Sequence, residues 1–534
     1  MSDDAPKTDD APRTDELTVG IDLGTSNSVV ALVRDGEPVV LTDEAGNRTH
    51  PSVVAYGYGN ATIVGHRARQ QLTYAPENTV YSAKRLIGRR YSSEVVERMK
   101  RMVSWGITEG PHGDARIRVQ GKVWAVPEVS ARVLSHMKEI AEQATGQKVG
   151  SAVITVPAYF NDHQRQATRD AAAIAGLKVL RIINEPTAAA LAYGFGRERR
   201  QHVAVYDLGG GTFDMTVLRM EPGIYEVLST SGDTFLGGDD FDAEIANWLR
   251  AQVEKQHDID LSDNHTARTK LRDAAERAKV ALSALPAVEI RVPSLARDKQ
   301  GHGIAVHTRI DRMQALELVM PLIQRTFVVV DDALSQAGLS TAQIDAVLLV
   351  GGMTRFPAVA EAVGRYFGKE PVGSINPDEV VAVGAAIQAY SLSQGFDPEA
   401  AVLLDVTPQT LGVGTVGGFV EPLIPRNTAI PTDASKVFHT AHDNQTEVRI
   451  KVFQGESRMQ ADNELLGHFV LDGLRPAPRG ECRVKVTFSI DADGIVHVAA
   501  IDQESGRAQE ITIEASSNLS REEVQKMKFA DLGF

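Results

Sequence analysis

The chain has 534 residues, a net charge of −14 and a single cysteine, Cys482, and 43% of its residues are hydrophobic. That hydrophobic content is too high for a disordered chain, and the length predicts about three or four domain-sized units or fewer large ones. The acidic charge argues against a general nucleic-acid-binding protein, and one cysteine excludes an intramolecular disulfide. The sequence has no basic-then-apolar N-terminal segment and no apolar run of about 18 residues, so we expect a cytoplasmic protein that contacts neither nucleic acid nor membrane.

The N-terminal residues 1–16 are polar and nearly repetitive. D-D-A-P-K-T is followed directly by D-D-A-P-R-T, and no apolar residue larger than alanine or proline follows Met1. Such low complexity predicts a disordered tail, to which the sequence assigns no function.

An apolar run that ends in an aspartate and three glycines, V-A-V-Y-D-L-G-G-G-T-F-D, occupies residues 203–214. The apolar part predicts a buried strand, and Gly209, Gly210 and Gly211 leave the backbone free to turn tightly beside a ligand. Successive backbone N–H groups in such a turn can hold phosphate oxygens, and Asp207 and Asp214 suit a hydrated Mg²⁺ ion. A glycine-rich loop without a ligand is the alternative for this stretch alone.

The same design recurs near the N-terminus as V-G-I-D-L-G-T-S-N-S, residues 19–28. Asp22 ends the apolar run, and Gly24 begins the turn. Two copies of one strand–turn–strand unit predict two similar lobes that face a shared phosphate chain. Neither copy has the spacing of a Walker A loop or of the Rossmann fingerprint, so neither of those nucleotide-binding classes fits.

As far as Tyr390 the pattern alternates strands with helices, which predicts an α/β fold. A third apolar strand, residues 346–350, ends at Gly351 and Gly352. Three strand–glycine turns thus place backbone N–H groups at the carboxyl ends of strands, where open α/β sheets bind ligands. Gly237 and Gly238 begin a predicted helix and form another plausible anion site. Further strands are predicted at residues 51–56, 152–156 and 180–183, and helices at 162–176, 187–193 and 270–284.

Several charged residues in this part could serve a nucleotide, although each also has an ordinary structural explanation. The motif K-R-L-I-G-R-R, residues 84–90, is most often a solvated basic patch, but one of its cations could lie over a phosphate. Glu185 follows a predicted strand, where catalytic carboxylates often lie, and an exposed loop residue is the alternative. Glu276, Lys279 and Ser283 share one face of a predicted helix, for which a solvated face is favoured locally.

Beyond Tyr390 the pattern changes to all-β. Residues 448–452 and 484–490 alternate apolar with polar side chains, and Asp493-Gly494 predicts a tight hairpin turn. Residues 411–514 are therefore expected to form a small antiparallel β-sandwich.

Two short segments flank this predicted sandwich. The apolar segment 400–407 is unusual between domains, because linkers are normally polar, so it is either a strand of the sandwich or a linker that docks reversibly. A final helix is predicted from Asn518, with Ser520 and Glu523 forming a capping box.

Taken together, the motifs closely resemble the 70-kDa heat-shock proteins, and within that family the bacterial DnaK type. The resemblance covers residues 17–528 and is carried by the blocks G-I-D-L-G-T-S-N-S, K-R-L-I-G-R-R, V-P-A-Y-F-N-D, I-I-N-E-P-T-A-A-A-L-A-Y-G, V-Y-D-L-G-G-G-T-F-D, L-V-G-G-M-T-R, N-P-D-E, L-L-D-V-T-P and H-D-N-Q-T-E-V. It implies an α/β two-lobed actin-like ATPase domain, then an all-β sandwich that binds peptides, then a short helical stub. The implied boundaries are a disordered tail at 1–16, the ATPase domain at 17–395, a linker at 396–408, the sandwich at 409–516 and a truncated lid helix at 517–534.

The resemblance implies an ATP-dependent chaperone, in which slow ATP hydrolysis controls the binding and release of extended apolar segments of unfolded proteins. The implied cofactors are ATP or ADP, Mg²⁺ and K⁺. The implied partners are unfolded polypeptides, a J-domain co-chaperone and a GrpE-like nucleotide exchange factor. Because the sequence offers no arginine finger at a matching position, slow intrinsic turnover is expected.

Roles in the nucleotide site follow from the resemblance position by position. Lys84 is expected near the γ-phosphate, where it positions the attacking water beside Glu185, and Thr212 is the expected self-phosphorylation site. The implied catalytic residues are Lys84, Glu185, Asp207, Thr212 and Asp22, and the implied metal ligands are Asp22, Asp207 and Asp214. The residues expected around the nucleotide are Gly24, Thr25, Ser26, Asn27, Gly209, Gly210, Gly211, Thr212, Gly237, Gly238, Glu276, Lys279, Ser283, Gly351, Gly352, Arg355 and Asp378.

The resemblance also implies a peptide site and a route between the two domains. An extended peptide would bind by backbone pairing and by an apolar pocket. The implied pocket and arch residues are Val413, Val416, Phe438, Ala441, Val448 and Ile450. The residues implied in interdomain coupling are Pro157, Arg165, Arg181, Val402, Leu403, Leu404 and Asp405.

The sequence departs from the family pattern in a few places. DnaK carries methionine where this chain has Val416, so a less adaptable arch is expected. Asp239 replaces a glutamate and Val29 a cysteine. The helical lid of the family continues for many turns, whereas this sequence stops within about four helical turns of the sandwich, so faster peptide release is expected.

Three other functions share parts of this pattern. Sugar kinases and actin-like filament proteins have the two-lobed fold, and fold alone does not choose between them. The predicted sandwich argues against both. A lid-less paralogue that uses nucleotide for a regulatory or co-chaperone role is the third, and the intact Lys84, Glu185, Asp207 and Thr212 argue against a relative that does not hydrolyse ATP.

Overall fold

The computed structural model describes residues 16–57, 61–197, 200–393, 402–491, 494–513, 519 and 521–530. Nearly all of the predicted tail, the start of the predicted linker and Asp493 of the predicted hairpin turn lie outside the described residues. So do Asn518 and Ser520, and with them the predicted capping box.

The first lobe alternates strands and helices as far as Asn184. Its elements are β1 (Leu17–Asp22), β2 (Asn27–Arg34), β3 (Glu37–Val40), β4 (His50–Pro51), β5 (Val54–Tyr56), β6 (Thr62–Val64), α1 (His66–Gln71), β7 (Thr79–Val80), α2 (Glu94–Met102), β8 (Gly106–Glu109), β9 (Ala115–Val119), β10 (Lys122–Ala125), α3 (Val126–Thr145), β11 (Val149–Val156), α4 (Asp162–Ile174) and β12 (Lys178–Asn184). The main sheet has the order β12-β11-β1-β2-β3, and β4 pairs with β2. In this sheet β1 runs parallel to β11 and antiparallel to β2, so the carboxyl end of β1 leads into the first glycine turn.

The second lobe follows from residue 185 to residue 393. Its elements are α5 (Glu185–Gly194), β13 (Gln201–Leu208), β14 (Phe213–Glu221), β15 (Ile224–Asp233), α6 (Gly238–His257), α7 (His265–Ala284), β16 (Ala287–Arg297), β17 (Gly303–Asp311), α8 (Arg312–Ala337), β18 (Ala346–Val350), α9 (Pro357–Phe367) and α10 (Val380–Ser393). In its sheet β13 lies between β18, which is parallel, and β14, which is antiparallel. The carboxyl ends of β13 and β18 therefore lie side by side, each followed by glycines.

The C-terminal part consists of strands and one helix. Its elements are β19 (Val402–Val406), β20 (Leu411–Gly414), β21 (Val420–Ile424), β22 (Ala429–Ile430), β23 (Thr432–His439), β24 (Glu447–Gln454), β25 (Glu464–Asp472), β26 (Arg483–Ile490), β27 (Val496–Asp502), β28 (Ala508–Ile513) and α11 (Arg521–Ala530). Two four-stranded antiparallel sheets, β21-β20-β24-β25 and β23-β26-β27-β28, enclose one hydrophobic core. In β26 the side chains of Val484, Val486, Phe488 and Ile490 are buried and alternate with less buried polar ones, as a sandwich strand requires.

Helices α5 and α10 hold the two lobes together. The small residues of α5 and the apolar residues of α10 share a core with strands of both main sheets. The packing is close because of two glycines: a Cβ added to Gly384 of α10 would lie 1.8 Å from the carbonyl oxygen of Ala188, and one added to Gly20 would lie 2.1 Å from the backbone nitrogen of Ala386. No side chain larger than hydrogen fits at either position without movement of the backbone.

Several predicted elements differ in detail from those observed. The single strand predicted at residues 51–56 is wrong: β4 pairs with β2, whereas β5 pairs with β6 and β7 in another sheet. The strand is interrupted at Ser52, because the backbone N–H of this residue donates to Ser26 O and its hydroxyl donates to Gly24 O, both at 2.8 Å. Helix α4 ends at Ile174, before the predicted Gly176, and α5 begins at Glu185, two residues before the predicted start.

The apolar segment before the sandwich forms strand β19, which joins the two domains. It pairs in parallel with β15 of the second lobe and antiparallel with β22. The segment thus extends the sheet of the second lobe instead of either sandwich sheet, and its reversible docking stays a prediction.

One helix in the described part of the chain, α8, is long and apolar enough to cross a membrane by length and composition. Its buried residues, among them Val319, Ile323 and Val330, belong to the core of the second lobe. The hydroxyl of Tyr206 in β13 also lies 2.8 Å from Thr326 Oγ1 of this helix. Contacts of this kind are typical of a helix that packs one face on a sheet.

The close approach at Gly384 predicts a destabilised variant. Gly384→Ala should lower the unfolding free energy of the α/β part by about 1–3 kcal/mol, because the clash with Ala188 outweighs the gain of about 0.5–1 kcal/mol in helix propensity. Urea unfolding followed by tryptophan fluorescence measures this, since the three tryptophans, Trp105, Trp124 and Trp248, all lie in the α/β part. Gly467→Ala is the control, because a Cβ there meets no described atom within 4 Å; equal midpoints for the two variants would contradict the packing argument.

Candidate active site

The three glycine turns line one cleft between the lobes, with a volume of about 1300 Å³ including its open mouth. Three of the predicted residues, Gly211, Gly237 and Asp214, contact the lining without forming it: a Cβ added to Gly237 would lie 2.5 Å from Gly211 N, and Asp214 pairs with Asp207 across β13 and β14. The other predicted nucleotide and catalytic residues do line the cleft, and they are Asp22, Gly24, Thr25, Ser26, Asn27, Lys84, Glu185, Asp207, Gly209, Gly210, Thr212, Gly238, Glu276, Lys279, Ser283, Gly351, Gly352, Arg355 and Asp378.

The two aspartate–leucine–glycine turns are built as a matched pair. Each follows a buried strand, and the second is closed by the bond from Gly209 N to Thr212 O at 3.1 Å. The turns face each other closely, because a Cβ added to Gly210 would lie 2.0 Å from Ser26 Oγ. Only a backbone without side chains leaves its N–H groups open to a ligand in so narrow a space.

Buried carboxylates gather at the base of the cleft. Asp22 is the last residue of β1, Asp207 the last but one of β13, Asp214 the second of β14, and Glu185 the first of α5. Burial and the charge of Glu185 raise the pKa of Asp22 to about 7 and that of Asp214 to about 8, and burial raises the pKa of Asp207 as well. A group of carboxyls that resists ionisation this strongly needs positive charge beside it.

Among the described residues, Lys84 is the cation bonded within this cluster, and the charge of Arg165 also acts to lower the pKa of Asp214. The Nζ of Lys84 lies 2.7 Å from Glu185 Oε1 and 5.5 Å from the ring centre of Phe160, and only 6% of the surface of the lysine is exposed. The lysine is presented by a short 3-10 helix, Ala83–Leu86, that follows Ser82 in the left-handed region at φ 55°. Oxygen ligands without nitrogen or sulfur suit a hard cation, so Asp22, Asp207 and Asp214 could hold Mg²⁺.

The basic motif at residues 84–90 is not a solvated surface. Arg85 is 3% exposed; its Nη2 lies 2.7 Å from Asp240 Oδ2 and donates to Gly210 O at 3.3 Å. The side chain of Arg85 thereby joins the glycine turn at residues 209–211 to the N-terminus of α6. The interpretation favoured locally from sequence is wrong here because tertiary contacts surround both Lys84 and Arg85.

Asp239, the departure from the family glutamate, lies in the same network. Its carboxylate accepts a hydrogen bond from Ser82 Oγ at 2.6 Å and forms ion pairs with Arg272 and Arg85. Burial opposes ionisation of this carboxyl, but the two arginines hold its pKa below the ordinary value. The shorter side chain is therefore accommodated as a charged bridge between the lobes.

The wall opposite the carboxylates combines α7 with the third glycine turn. Lys279 Nζ lies 2.9 Å from Asp242 Oδ1 and donates to Gly238 O at 3.0 Å, whereas Arg355 Nε lies 2.6 Å from Asp378 Oδ2. A solvated helix face is therefore wrong for Glu276, Lys279 and Ser283, which all line the cleft. Sequence analysis missed the mostly apolar members of the lining, because they cannot be distinguished from core residues: Thr49, Val280, Val350, Met353, Phe356, Pro377 and Val381.

A second site of interest is the junction between α/β and β parts. Asn184 Nδ2 donates to Asp405 Oδ2 of β19 at 2.8 Å, and its Oδ1 accepts from Arg165 Nη2 at 2.7 Å. Burial raises the pKa of Asp405, although its hydrogen bonds and Arg165 act in the opposite direction. Of the residues predicted to couple the domains, Arg165 and Asp405 are both bonded to Asn184. Val402, Leu403 and Leu404 lie on β19, which pairs with β15, and the side chains of Val402 and Leu404 are exposed. Arg181 lies on β12, and Pro157 directly follows β11.

Further contacts hold the sandwich against the α/β part. Arg426 Nη2 lies 2.7 Å from Asp332 Oδ1 of α8, and Asn427 Oδ1 accepts from Thr230 N at 3.0 Å. At the end of the chain, Val524 and Met527 of α11 pack on the core of the first lobe. The described arrangement is thus one in which sandwich and terminal helix both contact the α/β domain.

The predicted peptide pocket is divided between core and surface. Val413 and Ile450 are buried in the sandwich core, and Phe438 and Val448 are partly buried against it. Val416 is 72% exposed at the tip beyond β20, near Phe419, which is 52% exposed. Exposed apolar side chains are a feature that peptide-binding surfaces share.

Comparison with known protein families supplies the identity of this arrangement. The family model described as Hsp70 protein matches residues 18–531. Members of that family are nucleotide-dependent chaperones and ATPases that use ATP or ADP with Mg²⁺, bind unfolded polypeptides and work with J-domain and nucleotide-exchange co-chaperones. Since the match covers nearly the whole chain, including the three glycine turns and the sandwich, this chain belongs to the Hsp70 family.

Proposed function

We propose that this chain is a DnaK-type chaperone in which slow ATP hydrolysis in the cleft controls the binding and release of extended apolar segments by the sandwich. The observation that carries the proposal is the pairing of Lys84 with Glu185 in a cluster of buried carboxylates. The neighbouring residue, Asn184, bonds to Asp405 of the interdomain strand. One strand end thus serves both the reaction site and the connection to the sandwich.

Binding and chemistry divide between different parts of the cleft. The backbone N–H groups of the two turns hold the phosphates, and the wall that contains Lys279, Ser283 and Arg355 holds the adenosine. Asp22 and Asp207 would hold Mg²⁺, which would supply positive charge to the phosphates. K⁺ ions, framed by Asp214 and Thr212, are part of the same proposal, as is self-phosphorylation of Thr212.

Lys84 and Glu185 have distinct tasks in the hydrolysis of ATP to ADP and phosphate. Glu185 fixes the ammonium of Lys84 at 2.7 Å, and the lysine orients the attacking water in line with the γ-phosphate. The other cations that line the described cleft, Lys279 and Arg355, are already bonded to Asp242 and Asp378. With no further cation directed at the developing charge, the reaction is expected to be slow.

A lysine variant tests this assignment. Lys84→Ala should lower single-turnover ATP hydrolysis by about 10²–10³-fold, because the group that positions water is lost, whereas the affinity for ADP should stay within a few-fold of wild type. Lys148→Ala removes an exposed lysine and serves as the control. Unchanged hydrolysis in Lys84→Ala would contradict the role of Lys84, and wild-type protein that binds but never hydrolyses ATP would favour a regulatory relative.

The raised pKa values predict a pH-dependent affinity for Mg²⁺–nucleotide. Carboxyls must lose their protons to hold the cation, and the pKa values of Asp22 and Asp214 are about 7 and 8. Affinity should therefore fall as the pH decreases from 8 to 6, by up to about tenfold per pH unit for each proton released. Calorimetry in buffers of different ionisation enthalpy counts those protons, and ADP with a chelator is the control that should release none. An affinity for Mg²⁺–ADP that is constant over this pH range would refute the assignment.

Communication between the domains is testable at Asp405. Asp405→Asn places an amide where the carboxylate accepts the bond from Asn184 at 2.8 Å, and it removes the charge that faces Arg165. ATP-triggered release of a bound fluorescent peptide should slow by tenfold or more (about 1.4 kcal/mol), which stopped-flow fluorescence measures. Asp433→Asn, on an exposed position of β23, is the control. Equal release rates for the two variants would contradict the proposed role of Asp405 in coupling the peptide site to the cleft.

A further inference from the structure

Three potential metal ligands meet on the first lobe, outside the nucleotide cleft. They are Asp43, which follows β3, His50 in β4 and His66 at the start of α1, and one ligand atom of each lies within 4.8 Å of the others. His136 on α3 adds another imidazole, whose ring centre lies 5.8 Å from that of His50. None of these residues belongs to the carboxylate cluster or to the cleft lining.

His50 is the unusual member of this cluster. It is fully buried, and among the described residues neither of its ring nitrogens has a hydrogen-bond partner. Its Nδ1 lies 3.9 Å from Asp43 Oδ2, and the rings of His66 and His136 approach it edge-on. Buried histidine side chains normally have hydrogen-bond partners. The unpaired ring nitrogens of His50 therefore indicate a ligand that is not part of the described chain.

The neighbouring groups are oriented as ligands of a metal usually are. Asp43 Oδ1 accepts hydrogen bonds from Ala45 N at 3.0 Å and Asn47 N at 2.8 Å, and Oδ2 accepts one from Asn47 Nδ2 at 2.9 Å. His66 Nε2 lies 3.0 Å from Thr49 O; a carbonyl oxygen only accepts, so Nε2 carries the proton and Nδ1 the lone pair. Hydrogen bonds of this kind to a backbone carbonyl fix the tautomer of metal-binding histidines.

We propose that Asp43, His50 and His66 bind a divalent transition metal, with Zn²⁺ as the best match, and that water or His136 takes the fourth position. Two imidazoles and a carboxylate are a known zinc ligand set, whereas Mg²⁺ prefers oxygen alone. Zinc bonds of about 2.0–2.1 Å place tetrahedral ligand atoms about 3.4 Å apart, so side-chain movements of under about 1 Å each bring the three atoms into range.

The proposed zinc site lies next to the glycine turn that follows β1. β4 pairs with β2 through Asn27 and Ser28, and Thr49, next to His50, lines the cleft. A metal held here would join the segment after β3 to α1, directly beside that turn. The site is chemically separate from the proposed magnesium site, because its ligands include imidazole nitrogen.

The test is zinc binding by the tag-free full-length chain in excess Mg²⁺, measured by competition with a fluorescent zinc indicator. Wild-type protein should bind one Zn²⁺ tightly at this site, and Co²⁺ should give the visible absorption of a tetrahedral complex. His66→Gln and Asp43→Asn should each weaken binding by about tenfold or more and remove the Co²⁺ band. His66 is exposed, so its variant is expected to fold, and thermal unfolding of the zinc-free proteins checks this.

His302→Gln is the matched control, because His302 and Asp298 form an exposed histidine–carboxylate pair at 3.1 Å on another part of the surface. Zinc affinity in this variant should equal that of wild type. Wild-type protein without a tight zinc site, or equal zinc affinity in wild type and His66→Gln, would overturn the proposal. Loss of zinc binding in His302→Gln alone would also overturn the proposal, because it would show that zinc binds at His302 and not at the proposed site.

Discussion

The structure depends on a shortage of positive charge at the base of the cleft. Glu185, Asp207 and Asp214 are buried together beside the partly buried Asp22, and Lys84 is the cation that the described residues bond among them. Burial and mutual repulsion raise the pKa values of the three aspartates, so the empty protein alone does not satisfy the cluster. A bound cation would favour the ionised form of these carboxyls, which is the basis of the proposed magnesium–nucleotide site.

The proposed coupling between the nucleotide and the sandwich would act through the same region. Glu185 reaches the cleft, and the preceding residue, Asn184, bonds to Asp405 on β19. β19 in turn belongs to the sheet of the second lobe and pairs with β22. Coupling between two sites needs an element with contacts that both sites can alter. Here that element is a single strand end and the strand beside it.

Two groups of potential metal ligands lie on either side of the glycine turn that follows β1. The cleft offers carboxylate oxygens, which suit Mg²⁺, and the cluster of Asp43, His50 and His66 offers nitrogen as well. Strand β4 separates them, since its pairing with β2 supports the turn while His50 faces away into the cluster. The proposed zinc and magnesium sites would thus select their metals by ligand type within one lobe.

The sequence by itself determined the elements that local chemistry controls. Aspartate–leucine–glycine at the end of an apolar run specifies a turn that leaves backbone N–H groups open, and strict alternation in β26 specifies a strand with one buried face. For this reason the glycine turns, the α/β pattern and most of the cleft lining were recognisable from residue type and from the family resemblance.

Only the tertiary structure decided which charged residues are buried. Local sequence predicts that Lys84 and Arg85 belong to a solvated patch. In the structure both are bonded to residues distant in sequence, Glu185 and Asp240. The apolar cleft wall and the cluster around His50 were equally invisible, because their members come from separate elements. Local pattern carries the period of a helix or strand, whereas burial and charge pairing arise from contacts between distant segments, which no short stretch of sequence encodes.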